Sequence, residues 1–440
     1  MNQFIDLRTG VREARGFAVW RENRGRLVFR YAGLAAAILL IVTILLSPSQ
    51  ALFDEPYYVK YIELLHRFGL SKLFILNLPG SPGPLTSIVN LPSAILSGWN
   101  IYALRLTNAL LLFLTVLLLS SSVRRAVPEA DWSWPMIAMS VPVIWQMGGL
   151  LLSEGGALVF LALAAILWMR WARTPDQDLS SLLLAASLSG LALGVAGLGR
   201  QMVLAALIGP LALSLSSRRR LLSFCLMAMV CVGVVAPVFW AWNGVVPPSP
   251  LHVKAGLAAH HMLLSWGYGA LFVMFLAPAF VPWKSPLIAV AALSGSALNA
   301  IVPILRITPM NSVVRELGPS YVELYTAVVS SVLAGFAAVF AIALLMRILE
   351  NRNAPEIRLL LLGFFCISCT PLAIGSNFAS RYVAVGIPLL IIPARLYSSE
   401  GLSAASRLAA GSLLGWVSLR SYYANTPWVL PWEEVLRFTP

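Results

Sequence analysis

The sequence predicts an all-α polytopic membrane protein, with about 11–13 transmembrane helices and an interfacial helix in the first non-cytoplasmic loop. Three observations carry this. Of the 440 residues, 59% are hydrophobic and 11% charged, with a mean hydropathy of +0.82; soluble domains average about 25% charged residues. The apolar residues form runs of roughly 20, the length that crosses a bilayer at about 1.5 Å per residue. The positive charges fall between these runs as short clusters, as in cytoplasmic loops. An ordinary soluble enzyme, a disordered chain and a fibrous protein are excluded. The net charge of +13 is a property of those loops, so nucleic acid is not an expected partner.

The elements follow in order. Residues 1–30 form a basic cytoplasmic segment carrying Arg8, Arg12, Arg15, Arg21, Arg24, Arg26 and Arg30. No charge follows from Tyr31 to Phe53, which makes a first span near 31–47 and puts the N-terminus in the cytoplasm. The basic region is too long for a signal peptide. Further spans are expected near 101–121, 134–149, 152–169, 179–198, 201–216, 221–242, 262–282, 286–305, 324–347, 358–375 and 382–397, with a thirteenth over 403–420. This map leaves most of the 31 Lys and Arg on the cytoplasmic side, as the positive-inside rule requires. Residues 31–425 read as one membrane module, with the loop 48–100 as its catalytic loop and 426–440 as a tail. Gly190, Gly194 and Gly197 permit close helix packing. Cys225, Cys231, Cys366 and Cys369 all lie inside apolar runs and read as packing residues. His260 and His261 read as loop residues rather than metal ligands.

Candidate chemistry gathers at the non-cytoplasmic face. Asp54 and Glu55 come directly after the first span, where a carboxylate can serve as a partly shielded general base. Tyr57, Tyr58, Tyr61, Leu64, Leu65 and Phe68 then recur at helical spacing and give an amphipathic helix lying in the interface. Pro79, Pro82 and Pro84, with Gly80 and Gly83, make a rigid connection. Glu154 is an isolated acid near the outer end of its span, where an unpartnered charge is costly. Arg105, Arg200 and Arg381 occupy the outer half, and guanidinium groups at that depth suit phosphate.

The order of these features resembles the GT-C superfamily of membrane glycosyltransferases. Its members include protein O-mannosyltransferases, the bacterial lipid A aminoarabinose transferase and dolichyl-phosphate-glucose glucosyltransferases. The family pattern is an acidic pair after the first span, a proline-containing stretch, and a small–aliphatic–Arg-Leu segment opening the second span. Here Asp54-Glu55, LPGSPGPL and ALRL at 103–106 correspond. Arg381-Tyr382 is similar to the Arg-Tyr before the last spans, and Arg200-Gln201 to the Arg-Gln segment of the glucosyltransferase branch. The chain departs from the family at Glu154, where Asp is common, and at Pro-Gly-Ser-Pro, where many bacterial members have Pro-Pro.

The resemblance implies transfer of a sugar from a polyprenyl phosphate or diphosphate to a hydroxyl acceptor at the non-cytoplasmic face, with inversion. Asp54 is then the general base and Glu55 orients the acceptor or ligates a divalent metal, the one cofactor the pattern leaves room for. Glu154 contacts acceptor or sugar, Arg200 and Arg381 hold the donor phosphate, and Gln201 and Tyr382 bind substrate beside them. Arg105 pairs with an acid to fix the loop, and Tyr57 and Tyr58 either stack on the sugar or serve only as interfacial anchors. The partners are a lipid-linked sugar, a glycan, lipid or protein acceptor, and membrane lipid, in a bacterial inner membrane. The alternative is a polytopic transporter or lipid flippase, which would show internal repeats that this sequence lacks.

Overall fold

The computed structural model describes residues 3–78, 80, 82–247, 256–306, 318–375, 380–398 and 401–424, with backbone alone for 3–22 and 319. Pro79, His252 and the tail 426–440 lie outside the described residues, as do the side chains of Arg8, Arg12, Arg15 and Arg21.

The protein is an all-α polytopic membrane protein. Among the described residues, eight helices are long and apolar enough to cross a membrane. The first, α1 (Gln3–Leu45), continues the basic segment and the first span as one helix. Then come α2 (Glu55–Phe68), α3 (Lys72–Leu76), α4 (Leu85–Ser97) and α5 (Ile101–Ala126). The chain continues through α6 (Pro142–Gly149), α7 (Glu154–Arg173), α8 (Leu179–Gly199), α9 (Ile208–Ser214), α10 (Arg218–Trp242), α11 (Ala259–Leu276) and α12 (Pro286–Ile301). It ends with α13 (Pro319–Glu350), α14 (Pro355–Cys369), α15 (Arg381–Ala384), α16 (Ile387–Arg395) and α17 (Leu402–Ala424).

Several expected spans are shorter or interrupted, and proline explains where. The segment 134–149 is a 3-10 turn, Trp134–Ser140, followed by α6, with Pro135 and Pro142 each opening a piece. Residues 201–214 divide into Gln201–Leu207 and α9, with Pro210 inside the first turn of α9. The expected span 382–397 becomes α15 and α16, with Pro388 and Pro393 inside it. Proline removes a backbone donor and frees a carbonyl. Such backbone is tolerated at membrane depth only where protein surrounds it. Ile387 through Ala394 are accordingly all buried, and Trp145 Nε1 donates to the Met139 carbonyl at 2.8 Å.

The glycine spacing on α8 does bring two backbones together. A Cβ at Gly190 would lie 2.2 Å from the Met227 carbonyl oxygen on α10, and one at Gly194 would lie 2.9 Å from that of Cys231. Side chains larger than hydrogen are excluded there. On the other side α8 packs on α7, and α7 on α5. The first loop lies across one end of this row. Helix α2 buries Tyr57, Tyr58, Tyr61, Ile62, Leu64 and Leu65, and leaves His66 and Arg67 exposed. Its apolar face therefore rests on the bundle, as its amphipathic pattern predicts. His261 differs from expectation: it is buried in the first turn of α11, with Nδ1 2.6 Å from the Ile374 carbonyl oxygen.

Candidate active site

The acidic pair divides at once. Glu55 has no solvent exposure and neither does Arg105. Their bidentate pair joins Nε to Oε1 at 2.8 Å and one terminal nitrogen to Oε2 at 2.6 Å. Arg105 also donates to Ser47 Oγ and the Pro48 carbonyl, each at 2.6 Å, and to the Gln50 carbonyl at 3.0 Å. The Leu52 and Leu151 amides donate to Glu55, each at 2.8 Å. With four donated bonds the carboxylate has no oxygen left for a ligand. A buried pair of this kind holds its backbone segments in place, and removing one partner costs about 3–5 kcal/mol.

What it holds is the approach to α7. Asn108, one turn after Arg105 on the same face of α5, donates to the Leu150 and Leu152 carbonyls at 2.8 and 2.9 Å. Thr86 Oγ1 donates to the Ser153 carbonyl at 3.3 Å, and Tyr58 Oη lies 3.2 Å from Ser153 Oγ. The stretch 150–153 is thus fastened to α2, α4 and α5. It delivers Glu154 to the N-terminus of α7, where the helix dipole favours a carboxylate.

Asp54, one residue before α2, is 19% exposed. Arg381 donates a terminal nitrogen to it, and the same guanidinium places Nε 3.4 Å from Glu154 Oε1. Arg200, at the end of α8, donates to that same Glu154 oxygen. The result is a chain of alternating charge, Asp54–Arg381–Glu154–Arg200, assembled from four separate parts of the sequence. Glu154 is fully buried, and Arg200 and Arg381 are nearly so. Glu154 Oε2, Arg200 Nε and Arg381 Nη1 have no hydrogen-bond partner among the described residues. Buried polar groups are normally paired, so donors and an acceptor stand ready within one cluster.

Aromatic rings enclose the cluster. The Arg200 guanidinium lies 5.5 Å from the Tyr382 ring centre and that of Arg381 5.6 Å from the Phe53 ring. Phe53 holds φ +54, a left-handed backbone that a bulky residue adopts only under constraint. Its ring meets Tyr422 edge-on at 4.9 Å. Burial, the largest cause, pushes the Tyr58 phenol up to about 12. Burial, with Asp54 nearby, pushes Tyr57 likewise to about 12. Both remain neutral donors across the ordinary pH range.

Of the sequence-predicted residues, the structure brings Asp54, Glu154, Arg200, Arg381, Tyr382 and Tyr58 into one neighbourhood. Gln201 opens the 3-10 turn beside Arg200, half-buried. Glu55 and Arg105 form the separate pair. Sequence reasoning missed Asn108, Ser153, Phe53 and Tyr422. Asn108 had a visible signal, a polar side chain three residues after Arg105 inside an apolar span. Among the described residues, no group of three or more His, Cys, Asp or Glu side chains is placed to hold a metal ion.

No protein-family model matches the chain, and no curated protein matches it. Two solved structures do: ArnT from Cupriavidus metallidurans in the apo state, and the same protein bound to undecaprenyl phosphate. Each is 14% identical with a TM-score of 0.41. The matches cover 92% of this chain and 78% of the apo chain, and 89% and 77% for the bound form. At that identity the likeness assigns no residue a role.

Proposed function

We propose that the protein is a GT-C-type glycosyltransferase, moving a sugar from a polyprenyl-phosphate or diphosphate donor to a hydroxyl acceptor with inversion. The observation that carries this is the chain Asp54–Arg381–Glu154–Arg200, a carboxylate near two arginines that retain unpartnered N–H groups. Inverting transfer from a phosphate needs a base for the acceptor proton and cations for the departing phosphate. Asp54 is the base. It is the more open of the two clustered acids, and its sequence neighbour Glu55 is already saturated by donors.

Arg200 and Arg381 hold the phosphate, with Tyr382 against Arg200. Their resting partners are carboxylates, and an incoming phosphate replaces the one that Arg381 makes with Asp54. Taking Arg381 releases Asp54, and the base is freed when the donor is in place. Glu154 then keeps one oxygen on the two arginines and offers the other to a sugar or acceptor hydroxyl. Tyr58 donates at the same edge, and Gln201 lines the Arg200 side. Glu55 and Arg105 are positioning residues that fix the loop and the start of α7. The active face is the non-cytoplasmic one, in a bacterial inner membrane.

The test is sugar transfer from a panel of polyprenyl-phosphate sugars, in membranes carrying wild-type protein or Asp54→Asn. Transfer that vanishes in the variant supports the reading, and the panel names the sugar. The transporter reading draws on one observation, the interrupted helices; it predicts no transfer with any donor.

A further inference from the structure

At the opposite end of α7 and α8 from the Glu154–Arg200 pair lies a second charged feature. A cavity of about 350 Å³ is bounded by Arg125 from the last turn of α5, by Arg170 and Arg173 from the last turn of α7, and by Asp178 and Ser181 at the start of α8. Three arginines face one acid, an excess of positive charge. That acid is already engaged: Asp178 Oδ1 accepts from the Ser181 amide at 3.0 Å and from Ser180 Oγ at 2.9 Å. The Ser181 hydroxyl, with the Ser181 amide and Ser180, holds its carboxyl below the usual carboxylate range. Arg173 is bound to Glu356, at 3.1 and 3.2 Å. The guanidiniums of Arg125 and Arg170, both exposed at the rim of the cavity, have no ion-pair or hydrogen-bond partner among the described residues. Ile166, one turn nearer the middle of α7, supplies an apolar wall.

We propose that this cavity binds the phosphate headgroup of an anionic lipid in the leaflet against the arginine-rich face. The chemistry of the walls selects the ligand. Two unpaired guanidiniums recognise a phosphate through paired N–H bonds. Ser181 at the start of α8 completes the polar lining, while Asp178 already caps that helix end. The apolar wall gives the acyl chains a way back into the bilayer. Basic residues at a membrane surface attract acidic lipids by about 1 kcal/mol each. The site ties the ends of α5, α7 and α8 together, and α7 and α8 carry Glu154 and Arg200 at their other ends. Binding here requires no turnover, so the proposal stands or falls separately from the transferase reading.

The experiment is native mass spectrometry of the full chain extracted with equal phosphatidylglycerol and phosphatidylcholine, comparing retained lipid. Wild-type protein is expected to retain phosphatidylglycerol preferentially. The preference falls about 30-fold in the double variant R125Q/R170Q, the equivalent of about 1 kcal/mol for each arginine, and about fivefold in either single variant. Arg124 is exposed like Arg125 and Arg170 but does not bound the cavity, so R124Q keeps the wild-type preference. An unchanged preference in folded R125Q/R170Q, or an equal loss in R124Q, overturns the site. Thermal stabilisation of wild-type protein, and not of R125Q/R170Q, by inorganic phosphate without any lipid preference overturns the lipid as its source.

Discussion

Asp54 and Glu55 are adjacent in the chain yet bound by different arginines: Arg381 reaches Asp54, and Arg105 encloses Glu55. One carboxylate stays partly open beside a charged cluster. The other has no exposure and accepts four hydrogen bonds. The same residue class therefore supports two kinds of behaviour, and substitutions separate them.

Glu55→Gln leaves a buried guanidinium without its counter-charge. We expect a loss of about 3–5 kcal/mol in stability, seen as a lower melting temperature in detergent and reduced yield. Arg105→Gln leaves the buried Glu55 carboxylate without its counter-charge and costs a similar amount. Asp54→Asn, at a partly open position, keeps a melting temperature near the wild-type value. If Glu55→Gln were as stable as wild type and failed only in turnover, the positioning role would be wrong.

Arg381 and Arg200 are expected to differ from the acids in kinetics. Arg381→Gln and Arg200→Gln raise the KM for the lipid-linked donor and lower kcat, because the lost contacts strengthen as the phosphate departs. Arg381→Lys restores little, since one ammonium cannot bridge Asp54 and Glu154 as the guanidinium does. Donor titrations on the three variants check this.

The acid limit of stability is expected to involve Asp131. Burial alone would raise its pKa, but bonds from Arg30 and from the Ser133 amide and hydroxyl outweigh it and hold the group below the usual range. A folded-state value below the unfolded one stabilises the fold above the unfolded pKa of about 3.9. That contribution is lost as pH falls through the folded value. Arg30→Gln removes one of the causes and moves the acid unfolding midpoint to higher pH. Circular dichroism from pH 6 downward measures the shift.

Gly190→Val tests the α8–α10 contact. A Cβ there would lie 2.2 Å from a backbone oxygen, so the helices must separate. The expected result is a destabilised protein, in contrast to Gly233→Val on α10, where no neighbour lies within 4 Å. Thermal unfolding of the two variants side by side shows the difference.

Much of this was legible before any coordinates. Hydropathy located the long helices, and the α2 pattern identified its buried face. The interruptions were less legible, since a hydropathy run looks the same whether or not prolines divide it; Pro142, Pro210 and Pro388 carried the information. The roles of Asp54 and Glu55 could not be separated in sequence, because both follow the same span. Their difference depends on Arg105 and Arg381, far away along the chain. Phe53 gave no signal, as a left-handed backbone at a phenylalanine is set by its surroundings. Asn108 could have been found from its spacing to Arg105.

The central claim is that Asp54 is the base and that Arg381 passes from Asp54 to the donor phosphate. The most direct measurement pairs polyprenyl-phosphate binding with single-turnover sugar transfer on Asp54→Asn and wild type. The account predicts binding at least as tight as wild type, because Arg381 is no longer held by Asp54, with transfer reduced by about 10²-fold or more. Transfer at the wild-type rate in the variant, or binding lost together with transfer in a folded protein, would contradict it.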